Sequence, residues 1–253
     1  MTITFLGTGT SQGVPVIACG CEVCTSTDSH DSRLRTSIMV EDAGKVIVVD
    51  SGPDFRQQML RESVQHLDAI VFTHEHKDHI AGLDDIRAFN YKQNAAIDVY
   101  ADERVQTALR REFAYIFAEY QYPGIPQLKL HTIGKQPFNV SGVPFTPIEV
   151  LHYKLPVKGY RINDFTYITD AKTISSEEKD KVRGTKVLVL NALQKETHVS
   201  HFTLNEAIAF ALEIGAEKTY LTHISHRMGR HMDIAKDLPA DIELAYDGLR
   251  LKL

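Results

Sequence analysis

The sequence predicts an α/β fold in which β-sheets are covered by helices. Short runs rich in β-branched and apolar residues recur along the 253 residues, and helical patterns separate several of them. Mixed order of this kind is typical of sheets with helices on their outer faces. No repeat, low-complexity tract or linker-like stretch divides the sequence, so we expect one domain over residues 1–253.

Seven short runs have the composition of strands. They cover residues 2–6, 37–40, 46–49, 69–72, 97–100, 187–190 and 218–221. From residue 143 to residue 169 the pattern is also mostly strand-like, with turns expected at Gly159 and at Asn163 and Asp164. We therefore expect a meander in this part of the chain.

Four helices are predicted from residues that favour helix N-termini. Asp54 and Asp102 begin helices that run to about residues 62 and 111. Either Ser175 or Ser176 begins a third helix. Residues 203–206 have the capping-box form, apolar residues follow at helical spacing, and Gly215 ends this fourth helix.

The composition argues against several classes of protein. With 28 basic and 33 acidic residues the formal net charge is -5, which disfavours the broad basic surface of a nucleic-acid-binding protein. No apolar run approaches the roughly 18 residues that a membrane-spanning helix needs. The N-terminus lacks the pattern of a signal peptide, and three cysteines cannot all pair within one chain. We therefore expect a cytoplasmic protein with no membrane partner.

The densest group of chemically active side chains lies at residues 73–79, directly after a predicted buried strand. It contains His74, His76, Asp78 and His79. In an extended loop His74 and His76 share a side and can hold one ion, whereas Asp78 and His79 can turn toward a second. Neutral imidazole and carboxylate ligands suit Zn, Mn or Fe.

Three further candidate ligands follow later strands of the sequence. His152, Asp170 and His223 each come at the end of a predicted strand. Asp170 could bridge two metals through its two oxygens. Two carboxylates cancel only part of the charge of two divalent ions, so such a centre is cationic and attracts a phosphodiester anion.

On these motifs the sequence resembles the metallo-β-lactamase superfamily over essentially its whole length. The resemblance implies an αβ/βα four-layer sandwich. It also implies that Asp50 supports the site, that Asp170 bridges the ions, and that the remaining ligands divide into two sets. The first ion would take His74, His76 and His152, and the second would take Asp78, His79 and His223.

All three cysteines lie in one early cluster. Cys19, Cys21 and Cys24 have the spacing CxCxxC within an insert near residues 17–32, and three thiolates this close can hold one Zn. A closed structural site needs a fourth ligand, for which His30 and His226 are the candidates.

The cysteine cluster makes the sequence similar to one branch of the superfamily, the PhnP-like phosphodiesterases. This resemblance implies that His226 completes the structural zinc site and that His201, in an HxT-like segment, is a catalytic acid; His198 is the alternative. Asp78 belongs to the implied catalytic set as well. The implied reaction is hydrolysis of a small cyclic or alkyl phosphodiester, such as 5-phosphoribosyl 1,2-cyclic phosphate, with two Mn or Zn ions.

Two other functions stay open on the sequence. A tRNA 3'-end endonuclease of the same superfamily shares the histidine motif, but residues 93–136 contain five acidic residues and no Gly/Lys-rich basic arm. A non-hydrolytic accessory protein resembling PqqB shares the early cysteines. We expect a small phosphodiester rather than nucleic acid as the partner, and the sequence leaves a homodimer open.

The residues that would contact the organic part of a substrate are not determined by the sequence. Several cations are candidates for binding a second phosphate, and an aromatic group could line a pocket or pack in the core. These residues are Arg33, Arg35, Lys154, Lys158 and Arg161, and Tyr115, Phe117, Tyr120 and Tyr122.

Overall fold

A computed structural model describes residues 1–120 and 122–253, and it contains two mixed β-sheets. In the first sheet the strand order is β15-β1-β2-β3-β4-β5-β6. Its strands are β1 (Thr2–Gly7), β2 (Ser37–Asp42), β3 (Lys45–Val49), β4 (Ala69–Val71), β5 (Ile97–Ala101), β6 (Leu128–Thr132) and β15 (Arg250–Lys252). Strands β3 to β6 are parallel, so their carboxyl ends meet at one edge.

The second sheet has the order β11-β8-β9-β10-β12-β13-β14, and β7 pairs with β8. Its strands are β7 (Phe138–Val140), β8 (Val143–His152), β9 (Leu155–Ile162), β10 (Phe165–Ile168), β11 (Thr173–Ile174), β12 (Val187–Asn191), β13 (Lys218–Thr222) and β14 (Ile242–Leu244). Strands β8, β9 and β10 form the expected antiparallel meander, and β10, β12, β13 and β14 are parallel.

Helices flank both sheets. The α-helices are α1 (Phe55–Arg61), α2 (Lys77–Ile80), α3 (Arg87–Gln93), α4 (Glu103–Glu112), α5 (Ser176–Val182), α6 (Leu204–Ile214) and α7 (His231–Ala235). Short 3₁₀ helices occur at Ser29–Asp31, Leu83–Ile86 and Ala114–Ile116. None of the helices in the described part of the chain has the length and apolar character that a membrane crossing requires.

Three apolar layers hold these elements together. The first lies between the sheets and includes Val49 of β3 and Tyr160 of β9. The second packs α1, α3 and α4 on the outer face of the first sheet, and the third packs α6 on the second sheet. Each fully buried Val, Leu, Ile or Phe contributes about 1.5–3 kcal/mol. The resulting order of helix, sheet, sheet and helix confirms the predicted αβ/βα four-layer sandwich.

Capping side chains mark the starts of three predicted helices, whereas Asp54 precedes α1 without a side-chain capping bond. The Asp102 side chain accepts from Val105 N at 2.9 Å, and Ser175, rather than Ser176, caps α5. Thr203 forms the capping box with Glu206, and Gly215 ends α6 in a left-handed conformation with φ 68°. These local signals lie within a few residues of each helix start, so they are readable without the tertiary structure.

The turn predicted at Gly159 is wrong, because this residue lies inside β9. A Cβ at Gly159 would lie 2.9 Å from the Tyr167 carbonyl oxygen, so the glycine permits close approach of β10. The turn before β9 is formed instead by Tyr153 and Lys154, between His152 and Leu155. The second predicted turn is correct, since Asn163 lies between β9 and β10 with φ 54°.

Candidate metal centre

The candidate ligands meet at one edge of the sandwich, where strands of both sheets end. Asp50 follows β3, the 73–79 segment follows β4, Asp170 follows β10 and His223 follows β13, while His152 ends β8. Asp50, Asp170 and His223 have left-handed backbones with φ of 66°, 57° and 58°. Such conformations cost non-glycine residues free energy and are concentrated at functional sites.

Three imidazoles from two sheets lie side by side. His74 Nε2 is 3.0 Å from His76 Nδ1, and the His76 ring centroid is 5.2 Å from that of His152. His152 Nδ1 lies 3.0 Å from the Ser200 carbonyl oxygen, which fixes Nδ1 as a donor and leaves Nε2 as a lone-pair ligand. The structure therefore brings together His74, His76 and His152.

A second group surrounds His79, which is fully buried. Its Nδ1 donates to Asp50 Oδ2 at 2.7 Å, while its Nε2 lies 3.2 Å from Asp78 Oδ2 and 3.3 Å from Asp170 Oδ2. Asp50 also accepts from the backbone N–H and the hydroxyl of Thr73, both at 2.8 Å. Asp50 thus orients His79 so that Nε2 points at the two carboxylates.

Asp170 is the common member of the cluster. Its Oδ2 lies 3.3 Å from both His79 Nε2 and His223 Nδ1 and accepts from the Thr169 hydroxyl at 2.6 Å. Asp170 belongs to three groups of potential metal ligands, and within each group all the ligand atoms lie within 4.8 Å of one another. The other members are His74 and His79 in the first group, Asp78 and His223 in the second, and His152 and His201 in the third. A carboxylate in this position can bridge two ions.

The donor set fits divalent metal ions. His79 Nε2 is buried and has no hydrogen-bond partner in the described structure. Burial lowers the pKa of His74 and of His223, so both rings are neutral and keep a lone pair. Burial alone would lower the pKa of His79, but the carboxylates of Asp78, Asp50 and Asp170 raise it well above the ordinary value. Burial alone would raise the pKa of Asp78, but the charge of His79 lowers it well below the usual range. A bound cation would displace the proton of His79 and leave a neutral ring. Neutral imidazoles beside ionised carboxylates are the ligands that Zn and Mn accept.

His201 lies at the same cluster, on the side of His152 and His223. Its ring centroid is 4.4 Å from that of His152, and its Nδ1 lies 3.9 Å from Asp170 Oδ1 without a hydrogen bond. Burial lowers the pKa of His201 to about 3. His198 is farther out and contacts Ser200, so the structure places His201, not His198, against the candidate ligands.

The three cysteines converge on His226. Its Nδ1 lies 3.2 Å from Cys19 Sγ and 3.5 Å from both Cys21 Sγ and Cys24 Sγ. A hydrogen bond from the Cys24 backbone lowers the pKa of Cys21 to about 6, which favours the thiolate that binds metal. His30 is outside the cluster and lies 2.8 Å from Asp28 instead. Three thiols and one imidazole form the donor set of a structural zinc site.

Several residues that support the cluster were missed at the level of sequence. Thr73 and Thr169 bind the carboxylates of Asp50 and Asp170, and the Thr10 hydroxyl lies 3.3 Å from His223 Nε2. Thr73 and Thr169 each directly precede a candidate ligand or its partner in the sequence, and this adjacency is the sequence feature that could have identified them. Nothing local connects Thr10 with His223, which is 213 residues away.

Most of the candidate cations already form hydrogen bonds or ion pairs with other groups of the protein. Arg33 donates to the Thr8 hydroxyl and the Ala245 carbonyl, and Arg161 donates to four carbonyl groups. Lys158 is buried against Glu149, and Arg35 pairs with Asp54. The aromatic group is largely on the surface, because Tyr115, Tyr120 and Tyr122 are exposed. Lys154 remains beside the histidine cluster.

Comparison with known proteins agrees with this geometry. Residues 45–224 match the model of the beta-lactamase superfamily domain. The crystal structure of a diphosphatase from the PhnP family is 41% identical, has a TM-score of 0.93, and matches over 100% of this chain and 97% of its own. Zn²⁺-bound PqqB from Methylobacterium extorquens matches over the full length of both chains with a TM-score of 0.83, but at 18% identity it supports the fold alone.

One curated relative is much longer than this chain. An octanoyltransferase of Porphyromonas gingivalis (strain ATCC BAA-308 / W83) is 40% identical over 252 residues, which are 98% of this chain but 51% of that protein. The chain spans about half the length of this relative. An acyl-transfer activity therefore does not follow from the match.

The fold and its clustered imidazoles and carboxylates define a metallo-β-lactamase-fold protein with a candidate metal centre. By the superfamily model and the full-length relative, the chain belongs to the metallo-β-lactamase superfamily and to its PhnP family.

Proposed function

We propose that this protein hydrolyses a small phosphodiester, such as 5-phosphoribosyl 1,2-cyclic phosphate, at a centre of two divalent ions. The observation that carries the proposal is the position of Asp170, whose carboxylate lies within 4.8 Å of ligand atoms from both sets, those of His74 and His152 and those of His79 and His223. A mononuclear site would not need a carboxylate between two sets of imidazoles. The similarity to a PhnP-family diphosphatase supports phosphoryl chemistry.

The division of the ligands between the two ions follows the resemblance to the superfamily. His74, His76 and His152 would hold one ion, Asp78, His79 and His223 the other, and Asp170 both. When bound, the two ions supply an activated water and neutralise charge on the phosphoryl group. The chain fixes this geometry through residues outside the ligand set: Asp50 orients His79, and the Ser200 carbonyl orients His152.

His201 would donate a proton to the leaving oxygen. Its Nδ1 is buried, has no hydrogen-bond partner among the described residues and lies beside Asp170, so a phosphoryl group held at the cluster comes within its reach. Because burial lowers its pKa to about 3, His201 is neutral in the free protein at neutral pH. The negative charge of the bound phosphodiester raises the affinity of His201 for a proton, so substrate binding would protonate His201 and make it a proton donor.

The Cys19, Cys21, Cys24 and His226 cluster would bind one structural Zn. It joins the insert near residues 17–32 to the segment that follows β13, two parts of the chain separated by about 200 residues. A metal bond across such a separation restricts the unfolded chain and stabilises the folded one.

Hydrolysis of a small substrate is favoured over the two alternatives. A tRNA endonuclease needs a basic docking surface, whereas in α4 and its flank Asp102, Glu103 and Glu112 balance the charge of three arginines. A non-hydrolytic accessory protein needs neither the proton donor nor the ordered ligand set, and here both converge on Asp170.

Turnover assays on three substrates test the proposal. The metal-loaded protein is expected to hydrolyse bis-p-nitrophenyl phosphate and 5-phosphoribosyl 1,2-cyclic phosphate and to leave a precursor tRNA intact. Asp170→Asn should abolish the activity and reduce the bound active-site metal. Cleavage of the tRNA with no turnover of the small esters would favour the endonuclease, and no turnover of any substrate would favour the accessory role.

A further inference from the structure

An open cleft of about 550 Å³ borders the histidine cluster. His76 and His152 line one part of it, and Val199 and Ser200, which lead directly into His201, line another. The turn between β8 and β9 supplies the rest of the lining. A substituent on a phosphorus atom held at His76 and His152 would extend into this cleft, on the side where the proposed acid lies.

Lys154 places a positive charge in the lining of the cleft. It forms no ion pair with the carboxylates of the described residues, and its Nζ lies 5.4 Å from the centroid of the Tyr153 ring. The nearby Lys158 is different, because it is 6% exposed and binds Glu149 at 3.0 Å. The charge of Lys158 is thus neutralised inside the fold, whereas that of Lys154 is available to a ligand.

The conformation of Tyr153 is costly for an aromatic residue. Its φ is 57°, in the left-handed region that glycine and asparagine favour in such turns, and its side chain is 56% exposed. Packing therefore does not offset the strain. The two-residue loop that joins His152 to Leu155 requires a left-handed residue at this position, and the conformation places the Tyr153 ring under the Lys154 ammonium beside His152.

We propose that this cleft binds a second phosphoryl group, carried on the organic part of the scissile phosphodiester, and that Lys154 recognises it. The inference rests on the proposed function. A substrate with two phosphoryl groups has more negative charge than the metal centre neutralises, so the second group needs its own cation. Tyr153 acts as a positioning residue that holds the ammonium over its ring.

A matched pair of substrates isolates the second phosphoryl group. Ribosyl 1,2-cyclic phosphate and its 5-phosphorylated form present the same scissile bond and differ in the group assigned to Lys154. In Lys154→Ala we expect kcat/KM for the phosphorylated ester to fall by about 10-fold and that for the other ester to change by less than about twofold. Lys154→Arg should restore most of the loss.

Lys129→Ala is the matched control for net charge. Lys129 is an exposed lysine on β6 that forms no ion pair with the described residues, so its removal changes the overall charge equally. An equal loss for both esters in Lys154→Ala, or the same loss in Lys129→Ala, would overturn the proposal, because neither result involves the second phosphoryl group.

Binding measurements show whether the subsite proposal or the proposed function has failed. The calorimetric Kd of ribose 1,5-bisphosphate and of ribose 1-phosphate can be measured on the metal-loaded protein without turnover. We expect Lys154→Ala to weaken the bisphosphate alone, and an unchanged ratio of the two Kd values overturns the subsite. Absence of turnover of both cyclic esters, by contrast, refutes the phosphodiesterase and leaves the binding result to decide on the subsite.

A second variant tests Tyr153. Tyr153→Asn keeps a residue that tolerates the left-handed turn, so its Tm should equal or exceed that of the wild type. Its affinity for the bisphosphate should nevertheless fall, with that for ribose 1-phosphate unchanged. Unchanged affinity for both ligands would show that the ring does not position Lys154.

Discussion

His223 and His226 lie three residues apart on one segment but face different clusters. His223 Nδ1 is 3.3 Å from Asp170 Oδ2, and His226 Nδ1 is 3.2 Å from Cys19 Sγ. Between them, Ile224 N donates to the Thr8 carbonyl and its own carbonyl accepts from Thr10 N. Because the two imidazoles share this short segment, we expect loss of the cysteine cluster to affect the candidate metal centre.

This link predicts the effect of losing the cysteine site. Cys21→Ser should remove one equivalent of bound zinc and weaken the binding of the ion at His223 by about 10-fold, as expected for loss of a supporting interaction. Metal analysis after titration with a chelator measures both effects. Thr25→Ala, in the same insert, is the control. Full retention of zinc in Cys21→Ser would contradict the structural site.

The contact between Asp50 and His79 predicts a second result. Asp50→Asn removes the negative charge that accepts from His79 Nδ1 at 2.7 Å. We expect the affinity for active-site metal to fall by about 10- to 100-fold, because the ring loses basicity and orientation. Asp68→Asn, at the opposite end of β4, should leave this affinity unchanged. Equal metal affinity in both variants would rule out an orienting role for Asp50.

The role of His201 predicts a dependence on the leaving group. His201→Ala should reduce kcat for an alkyl phosphodiester by about 100-fold or more, since a poor leaving oxygen needs a proton. Turnover of bis-p-nitrophenyl phosphate should fall much less, because p-nitrophenolate leaves without one. His198→Ala should affect neither substrate strongly. A similar loss for both substrates in His201→Ala would mean that the residue has another function.

His231 predicts how stability depends on pH. Burial, followed by the charge of Arg33, lowers the pKa of His231 from 6.5 to about 4. The folded protein therefore resists protonation that the unfolded chain accepts. The stability that comes from keeping His231 neutral is fully present above pH 6.5 and is lost as the pH falls toward 4. Arg33 Nη2 lies 3.0 Å from His231 Nδ1, which agrees with a neutral ring.

Urea unfolding at pH 7 and pH 5 tests the predicted direction of this pH dependence. The free energy of unfolding of the wild type should fall by about 1–2 kcal/mol more between these pH values than that of His231→Gln, which cannot be protonated. His66→Gln, at an exposed histidine beside Asp68, is the control for a histidine outside this network. An identical pH dependence in the wild type and His231→Gln would refute the assignment.

Much of the fold was readable from local patterns. Helix starts at Asp102, Ser175 and Thr203 depend on contacts with the next three residues, and apolar runs such as 46–49 depend on burial. Gly159 was misread because a glycine in a strand and a glycine in a turn look alike in sequence. The close approach of β10, from Tyr167 and Ile168, distinguishes the two.

The sequence by itself determined the candidate ligands, because four of them lie within six residues and the others end predicted strands. It also determined the cysteine cluster, since its spacing is local. Only the tertiary structure decided that His226 rather than His30 meets the thiols, that His201 rather than His198 faces Asp170, and that Lys154 alone among the candidate cations faces the cleft. These choices depend on strands from two sheets ending at one edge, and such distances between residues far apart in the chain are set by packing rather than by local sequence.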